Sequence, residues 1–409
     1  MKKYICLTLI LFTLQGVVFG QGYVTLSGKI IDKNTQKPVS NAHLGLNGKA
    51  IGTFTNTEGS FLFRFPRLLA DSTLVVAVMG YKKFTQKAST FQPNQKDILI
   101  QLETARPQVL DSSFIKRFEA RELVVGALAK IKKNASPSPY LLTGFYTETL
   151  QQNTEYIEIR EAALLSEKDP RPKIEVPEKT KLIKGRMFQS ENRSKLLEAY
   201  NFPNGAAIVT HSIDVAIPEY LDGKNLFDYN FQLDDSIVYY QDKSVYRVRF
   251  WPLNLAIKGA RSGLICINEA DSAIVRIEYE FAESGMKDIL KTTTADKVFG
   301  KTKREPKRLY TAINYMSFLG KWYLQDYQLQ LDTQFEQAKT QIVGTIQLHF
   351  MTTDIQKSNG SRIPDTDVLL TTDDLPSQSI PKYDENFWGV FNYLLATESK
   401  KLIINSLAK

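Results

Sequence analysis

The sequence predicts a mainly β protein, in which an N-terminal β-sandwich is followed by an α+β domain with a large curved antiparallel sheet or half-barrel and a covering helix. Three patterns lead to this prediction. Short apolar alternations, separated by turns rich in Gly and Asn, fill residues 21–104. Apolar residues then recur at helical spacing within residues 105–139, and longer alternations run from residue 140 to residue 353.

Residues 1–20 have the pattern of a secretory signal peptide. Lys2 and Lys3 precede an apolar run that ends at Phe19, and cleavage is expected at Gln21. A transmembrane anchor is the alternative, but polar residues interrupt the run, and a spanning helix needs about 20 apolar residues. We therefore expect an exported protein. Nucleic acid is then a poor candidate partner.

The composition predicts packed cores rather than disorder. The chain has 409 residues, of which 43% are hydrophobic and 23% charged, and this length is enough for two or three cores. Removing Lys2 and Lys3 would lower the formal charge of +8 by two, which still favours acidic surfaces such as lipopolysaccharide or anionic lipid. Cys266 would be the one remaining cysteine, so no intramolecular disulfide is expected, and its place between two isoleucines predicts a packed thiol.

The strands of the predicted sandwich alternate with turns. Asn56 and Gly59 supply the turn chemistry, since Asn and Gly tolerate the positive φ that tight turns require. The alternation of Phe61, Phe63 and Phe65 follows directly and predicts a strand with one buried face. Further strands are predicted at residues 28–32, 38–46, 74–78 and 98–102.

Four motifs of this region occur in order along the chain. They are Gly-x-Ile-x-Asp at residues 28–32, Pro-Val-x-x-Ala at 38–42, Gly-Thr-x-Thr-x-x-Glu-Gly-x-Phe at 52–61 and Gly-Tyr at 80–81. In residue type and spacing they resemble the carboxypeptidase regulatory-like domain, a small transthyretin-like β-sandwich, although the family usually has Asp where Asn56 stands. The resemblance covers residues 23–104. It implies a non-catalytic module that is found at the N-terminus of many envelope proteins of Gram-negative bacteria. With export, the resemblance therefore implies a protein in the periplasm or associated with the outer membrane.

Residues 105–139 are predicted to be a linker and a helix. From residue 111 to residue 134 apolar side chains recur at helical spacing, while lysines and arginines occupy the opposite face. Proline at positions 137 and 139 ends the helix, because proline lacks the amide donor. The basic face could make a peripheral contact with an anionic membrane. A solvated surface behind an apolar core stripe is the simpler interpretation.

Residues 140–353 are predicted to form the curved antiparallel sheet. The clearest alternation places Val275, Ile277 and Tyr279 on one face and charged side chains on the other, as in a sheet with one buried and one wet side. Ile346 and Leu348 occupy the apolar face of a late strand. In architecture, without a shared motif, the order of helix, hairpin and long meander resembles the half-barrel of periplasmic lipoprotein-carrier and outer-membrane lipoprotein-sorting proteins.

Residues 354–409 are predicted to be an extended loop and a C-terminal helix. The first part of this region, to residue 376, is polar and rich in Asp and Thr. The helix is predicted to begin at Asp384, whose carboxylate can cap the free amides of the first turn. Phe387 and Phe391 would then dock it on the sheet.

The sequence lacks the motifs of the common hydrolases. A carboxypeptidase zinc site needs two histidines and a carboxylate, but none of His43, His211 and His349 has the His-x-x-Glu spacing. Only folding could join His349 to His211 and Asp214, and Ser212 lacks the Gly-x-Ser-x-Gly elbow. We therefore predict no catalytic residue, no metal and no cofactor.

Three functions are compatible with these patterns. The first is an exported, non-enzymatic envelope protein that binds or scaffolds a protein, glycan or lipid partner, with exposed strand edges available for strand addition. The alternative is a periplasmic lipid or hydrophobic-ligand carrier, and a hydrolase comes third. The identity of the partner and the oligomeric state stay open.

Nine residues are candidate contacts for a ligand or partner, in two groups. A carrier cavity would be lined by the apolar group Val275, Ile277, Tyr279, Ile346 and Leu348. A basic group, predicted to flank a hairpin turn, would hold an acidic partner unless it is simply a solvated turn. This group consists of Lys303, Arg304, Lys307 and Arg308.

Overall fold

The structure, a computed structural model, describes most of the chain. The described residues are 22–110, 119–169, 179–197, 205–206, 221, 223–255, 257, 259–282, 286, 303–337, 339–358, 360, 363–370, 378–379 and 383–407. This part of the chain is mainly β, as the sequence predicts, and contains two α-helices. Neither helix has the length and apolar character that a membrane crossing requires.

The first seven strands form the predicted β-sandwich. Their bounds are β1 Tyr23–Asp32, β2 His43–Leu46, β3 Gly52–Phe54, β4 Ser60–Pro66, β5 Thr73–Ala77, β6 Phe84–Lys87 and β7 Ile98–Leu102. One sheet has the order β4-β1-β7, and the other has the order β3-β2-β5-β6. A single apolar core lies between them, to which Leu26, Leu44, Phe63 and Val76 contribute buried side chains.

Two glycines of the sequence motifs are required by the backbone. Strands β1 and β7 pair in parallel with Gly28 opposite Ile98, and a Cβ on Gly28 would collide with the Ile98 carbonyl. Gly59 has φ +69° in the turn before β4, a conformation that L side chains rarely adopt. These positions therefore mark a close approach of two strands and a tight turn.

The remaining strands form one large sheet. They are β8 Gln108–Val109, β9 Tyr140–Gln152, β10 Glu155–Lys168, β11 Lys179–Gln189, β12 Tyr229–Leu233, β13 Ser236–Tyr240, β14 Lys243–Pro252, β15 Arg261–Asn268, β16 Ile274–Phe281, β17 Lys303–Phe318, β18 Lys321–Gln337, β19 Thr340–Lys357 and β20 Gln378–Ser379. Their order is β20-β11-β10-β9-β19-β18-β17-β16-β15-β14-β13-β8, and β12 pairs with β14. Apart from the short β11–β20 pair, the strands are antiparallel. The predicted large antiparallel sheet is confirmed, and the comparison with a half-barrel stays a prediction.

The helix α1, Ala120–Asn134, covers one face of this sheet. Its apolar stripe buries Val124 and Leu128 in one cluster with Tyr229 of β12 and Ile265 of β15. The helical spacing of the sequence therefore identified the buried face correctly. Residues 111–118 of the predicted helix lie outside the described residues.

The prediction that the C-terminal helix begins at Asp384 is wrong. Helix α2 is Glu398–Leu407, and residues 385–397 form turns and an extended segment. Asp384 Oδ1 accepts a hydrogen bond from the Asn386 amide, and Gly389 has φ +58°, which interrupts a helix. Local capping signals were therefore overridden by the contacts of this segment with the rest of the chain.

Residues 383–400, called the C-terminal clamp below, lie between the sandwich and the large sheet. The Asn392 side chain accepts from the Arg64 amide at 2.7 Å and donates to the Arg64 carbonyl at 2.9 Å, as a neighbouring strand would. Trp388 packs edge-on against Phe145 of β9, with 4.9 Å between the ring centroids. The extended backbone allows the clamp to contact both units at once.

The basic run at residues 303–308 belongs to a strand, and the turn that it was predicted to flank lies outside the described residues. Lys303 already belongs to β17, where it pairs with Glu336 of β18. A register shift between Pro306 and Arg308 makes a β-bulge there. Since a bulge leaves one residue outside the hydrogen-bond ladder, the strand can continue past a proline that has no amide donor.

Candidate functional site

A polar cleft lies where the sandwich, the large sheet and the C-terminal clamp meet. Its volume is about 220 Å³. At about 30 Å³ of liquid volume per water, it has room for roughly seven water molecules. This junction cleft is lined by Asn56, Thr57, Thr147, Thr149, Tyr156, Gln347, His349, Leu394, Leu395, Thr397, Ser399, Lys400 and Ile403.

Strand alternation places the polar floor of the junction cleft. In the antiparallel pair of β9 and β19, Thr147 lies opposite His349, and Thr149 lies opposite Gln347. Because neighbouring residues of a strand point to opposite faces, these four side chains share one face of the sheet. The intervening Leu348 points the other way, into the apolar core. The wet face of the large sheet therefore faces the sandwich.

Two polar atoms of the cleft have no hydrogen-bond partner among the described residues. They are Thr149 Oγ1, on a residue that is 8% exposed, and His349 Nε2. A buried hydroxyl or imidazole nitrogen without a partner costs about 1–3 kcal/mol, so native proteins usually satisfy such groups with water or a ligand. The cleft therefore offers unused hydrogen-bonding capacity at its floor.

The charged and amide groups at the rim are already engaged. Lys400 Nζ lies 3.4 Å from Glu161 Oε1. The Asn56 side chain accepts from the Glu58 and Ser60 amides and donates to the Leu395 carbonyl at 3.0 Å. These bonds fix the walls of the cleft and leave the hydroxyl groups of its threonines and serine as the main adjustable donors and acceptors.

A buried carboxylate, Asp326, lies beneath the cleft. Its Oδ1 accepts from the amides of Asn314 at 3.0 Å, Gln328 at 3.1 Å and Asn41 at 3.4 Å. His349 Nε2 is 3.8 Å from the same oxygen. Burial acts to raise the pKa of Asp326, but His349 and the amide donors outweigh it, so the pKa lies below its ordinary value. The carboxylate is therefore charged at neutral pH.

His43 reaches this region from the sandwich. Its ring is buried against Phe54 with 5.1 Å between the centroids, and burial lowers its pKa to about 4 although nearby Asp326 acts to raise it. His43 is therefore neutral in the folded protein over the range in which an unfolded histidine, with a pKa of about 6.5, becomes charged.

We expect His43→Leu to remove part of the acid sensitivity of the fold. Between neutral pH and pH 4, His43 of the unfolded wild type binds a proton, whereas His43 of the folded protein stays neutral. The free energy of unfolding therefore falls as the pH falls. At about 1.4 kcal/mol per pKa unit, the loss is about 3 kcal/mol. Urea unfolding at neutral and acid pH measures it. Equal pH dependence of the two proteins would contradict the assignment.

Among the described residues, the histidines do not form a zinc site. His349 lines the junction cleft and His43 lies near Asp326, whereas His211, Ser212 and Asp214 lie outside the described residues. No group of three His, Cys, Asp or Glu side chains within the described ranges is placed to hold a metal ion. Burial raises the pKa of Cys266 to about 12, and this thiol is packed, as the sequence predicts.

The apolar candidate residues do not come together as one group. Ile346 and Leu348 are at most 2% exposed and belong to the core behind the cleft, and Ile277 is buried beneath α1, with Tyr279 packed at the edge of that cluster. A register shift beside Ile274 turns Val275 to a different cluster, which includes Cys266 and Trp322. Whether any of them contacts a ligand stays a prediction.

The basic candidate residues have protein partners. Arg308 pairs with Glu280, Lys307 Nζ lies 2.7 Å from Glu305, and Lys303 Nζ lies 3.9 Å from the same carboxylate. The Arg304 guanidinium lies 5.9 Å from the centroid of the Phe335 ring. Two carboxylates, Glu305 and Glu280, therefore balance part of the charge of these four residues, and contact with an acidic partner stays a prediction.

The sequence patterns did not identify most of the cleft. Thr147 and Thr149 are visible in the sequence as polar positions of an alternating strand, but such positions usually face solvent. Asn56 and Lys400 are 344 positions apart, and only the C-terminal clamp brings them to one site. His349 was noticed as a lone histidine without a local partner.

A family comparison decides the nature of the N-terminal unit. Residues 26–110 match the family model of the CarboxypepD_reg-like domain. This segment is a CarboxypepD_reg-like domain. The match confirms the resemblance that the motifs of the sequence indicated, and it assigns a non-catalytic regulatory module to the sandwich. The family match includes Asn56 and Thr57, so the CarboxypepD_reg-like domain supplies one wall of the junction cleft.

Comparison with whole proteins adds little about the large sheet. No curated protein matches the chain. A crystal structure of a DUF1329 family protein from Desulfovibrio piger is similar with a TM-score of 0.27 and 7% identity, over 60% of this chain and 96% of that chain. A TM-score this low carries no argument about fold or function.

Proposed function

We propose that the protein is an exported, non-enzymatic binding protein of the cell envelope, and that the junction cleft holds a sugar unit of a glycan. The observation that carries the proposal is the unpartnered Thr149 Oγ1 in a cleft lined by hydroxyl and amide groups. Export rests on the signal-peptide pattern of residues 1–20.

The chemistry of the lining favours a neutral, hydroxyl-rich ligand. A hydroxyl group both donates and accepts hydrogen bonds, as do the threonine and serine side chains of the cleft. Among the described lining residues, Lys400 carries the one ammonium, and it shares the Glu161 carboxylate with Arg186. Tyr156 adds an aromatic surface of the kind that can pack against a sugar ring.

A binding role without catalysis is the simplest function for these groups. The CarboxypepD_reg-like domain is non-catalytic, and the described residues supply no set of three metal ligands. A lipid-carrier role would require Ile346 and Leu348 to line an open space, but both are buried in the core. These observations support glycan binding over the carrier and the hydrolase.

We expect Thr149→Val to separate binding from stability. Since the hydroxyl has no protein partner, its replacement by a methyl group of similar shape should leave the free energy of unfolding unchanged or raise it by up to about 1 kcal/mol. The same change should weaken saccharide binding about tenfold, because a ligand hydroxyl loses its partner. Calorimetric titration with a panel of neutral mono- and disaccharides measures binding, and urea unfolding measures stability.

Thr85→Val is the matched control. Thr85 is exposed on the edge strand β6, away from the cleft, and its replacement should change neither quantity. Failure of the wild-type protein to bind any saccharide of the panel would contradict the proposed ligand class. A loss of several kcal/mol of stability in Thr149→Val would show instead that the hydroxyl has a structural role.

A further inference from the structure

Four large apolar side chains are exposed together at one end of the large sheet. Phe227 is 66% exposed, Trp251 39%, Leu253 57% and Leu255 67%. Single exposed apolar side chains are common, but a contiguous group on a folded protein usually marks an interaction site. We call these four residues the apolar tip.

Strand pairing brings the apolar tip together from two segments. In the antiparallel pair of β12 and β14, Tyr229 lies opposite Pro252. The pairing extends one residue further, since the Leu253 amide donates to the Asp228 carbonyl at 2.8 Å. Phe227 therefore lies beside the segment that carries Leu253. The tip therefore lies where β12 begins and β14 ends.

Two arginines lie beside the apolar tip. The Arg121 guanidinium of α1 lies 5.5 Å from the centroid of the Phe227 ring. Arg249 points to the same face of β14 as Trp251, and its side chain is 64% exposed although it pairs with Asp234.

We propose that the apolar tip inserts into the interfacial layer of a membrane that contains anionic lipids. Tryptophan is enriched at this depth of a bilayer, and Leu and Phe gain free energy by leaving water for the acyl boundary. Arg121 and Arg249 beside the tip would contact lipid phosphates, and the formal charge of +8, lowered by two when Lys2 and Lys3 are removed, attracts the whole chain to such a surface. This role is independent of the ligand proposed for the junction cleft.

A natural reporter tests the insertion. Of the three tryptophans of the chain, Trp322 and Trp388 are buried at 5% and 1% exposure, so Trp251 dominates the response of the fluorescence to solvent. With vesicles of phosphatidylglycerol and phosphatidylethanolamine, we expect a blue shift of the emission and protection of Trp251 from acrylamide. Phosphatidylcholine vesicles should produce a much smaller effect, and vesicle co-sedimentation should follow the same order.

The double variant Leu253→Ser, Leu255→Ser should weaken partition into anionic vesicles by about tenfold or more, because it removes two apolar side chains from the inserted surface. The matched control is Leu319→Ser, since Leu319 is 71% exposed on the turn between β17 and β18. Equal loss in both variants, or absence of vesicle binding by the wild type, would overturn the proposal. Tip-dependent self-association without vesicles, seen by analytical ultracentrifugation, would assign the tip to a protein contact instead.

Discussion

Arg186→Met is expected to lower the free energy of unfolding by about 3–5 kcal/mol, because it leaves the Glu161 carboxylate buried without its main partner. The Arg186 Nε atom lies 2.7 Å from Glu161 Oε2, and the two side chains are only 1% and 2% exposed. The guanidinium also donates to the Asp384 carbonyl at 2.8 Å, so the same change loosens the start of the C-terminal clamp.

The pKa of Glu161 predicts how this effect depends on pH. Burial acts to raise that pKa, but Lys400 and Arg186 outweigh it and hold the pKa below its ordinary value. In the wild type the pair therefore contributes its full stability above the ordinary carboxyl pKa of about 4.5, and the contribution is lost as the pH falls through the lower folded value. In Arg186→Met the destabilisation should shrink in acid, because a protonated Glu161 is easier to bury.

Urea unfolding followed by far-UV circular dichroism measures the change. Arg308→Met is the matched control, since Arg308 and Glu280 form an ion pair whose side chains are 43% and 48% exposed. Exposed pairs contribute about 0–1 kcal/mol, so this control should stay close to the wild type. Equal losses of stability in the two arginine variants would contradict a larger contribution from the buried Arg186–Glu161 pair.

Trp388→Ala is the second change for which we expect a large effect. Trp388 is buried at the centre of an aromatic group, edge-on to Phe145 of the large sheet at 4.9 Å and to Phe387 of the clamp at 4.8 Å. Truncation of a large buried aromatic side chain costs about 3–5 kcal/mol. Since this cluster also contains Phe54 of the sandwich, the CarboxypepD_reg-like domain should lose its attachment to the large sheet.

Limited proteolysis and urea unfolding together measure this second effect. We expect faster cleavage between the two units and a separate early transition in urea. Trp388→Phe should cost much less, because the indole Nε1 has no hydrogen-bond partner among the described residues and a phenyl ring fills much of the same space. Val390→Ala, at a 48% exposed position of the same clamp, serves as the control. If Trp388→Ala unfolds in one cooperative transition like the wild type, Trp388 does not attach the C-terminal clamp to the large sheet.

Local patterns predicted most strands because their causes are local. The alternation of Phe61, Phe63 and Phe65 requires one buried face, and the helical stripe around Val124 requires another, whatever else the chain contains. Gly59 was recognised from its motif for the same reason, since its φ of +69° belongs to the turn itself.

The errors arose where distant contacts outweighed local signals. Asp384 is a favourable helix cap in the sequence. The aromatic residues after it gain more free energy by packing individually between the sandwich and the large sheet. The alternation in the sequence predicts that Val275 shares a face with Ile277. A register shift in the sheet instead places the Val275 side chain in another buried cluster. Register and long-range packing depend on the partner strand, which one stretch of sequence does not specify.

The sequence by itself determined the CarboxypepD_reg-like sandwich, the large antiparallel sheet and the covering helix, because spacing and turn chemistry act over a few residues. Only the tertiary structure decided where these units meet. The junction cleft needs Asn56, Thr149, His349 and Lys400 in one place, and the apolar tip needs Phe227 beside Leu253. Such sites arise from contacts between distant segments, and these contacts form when the clamp and the strands pack.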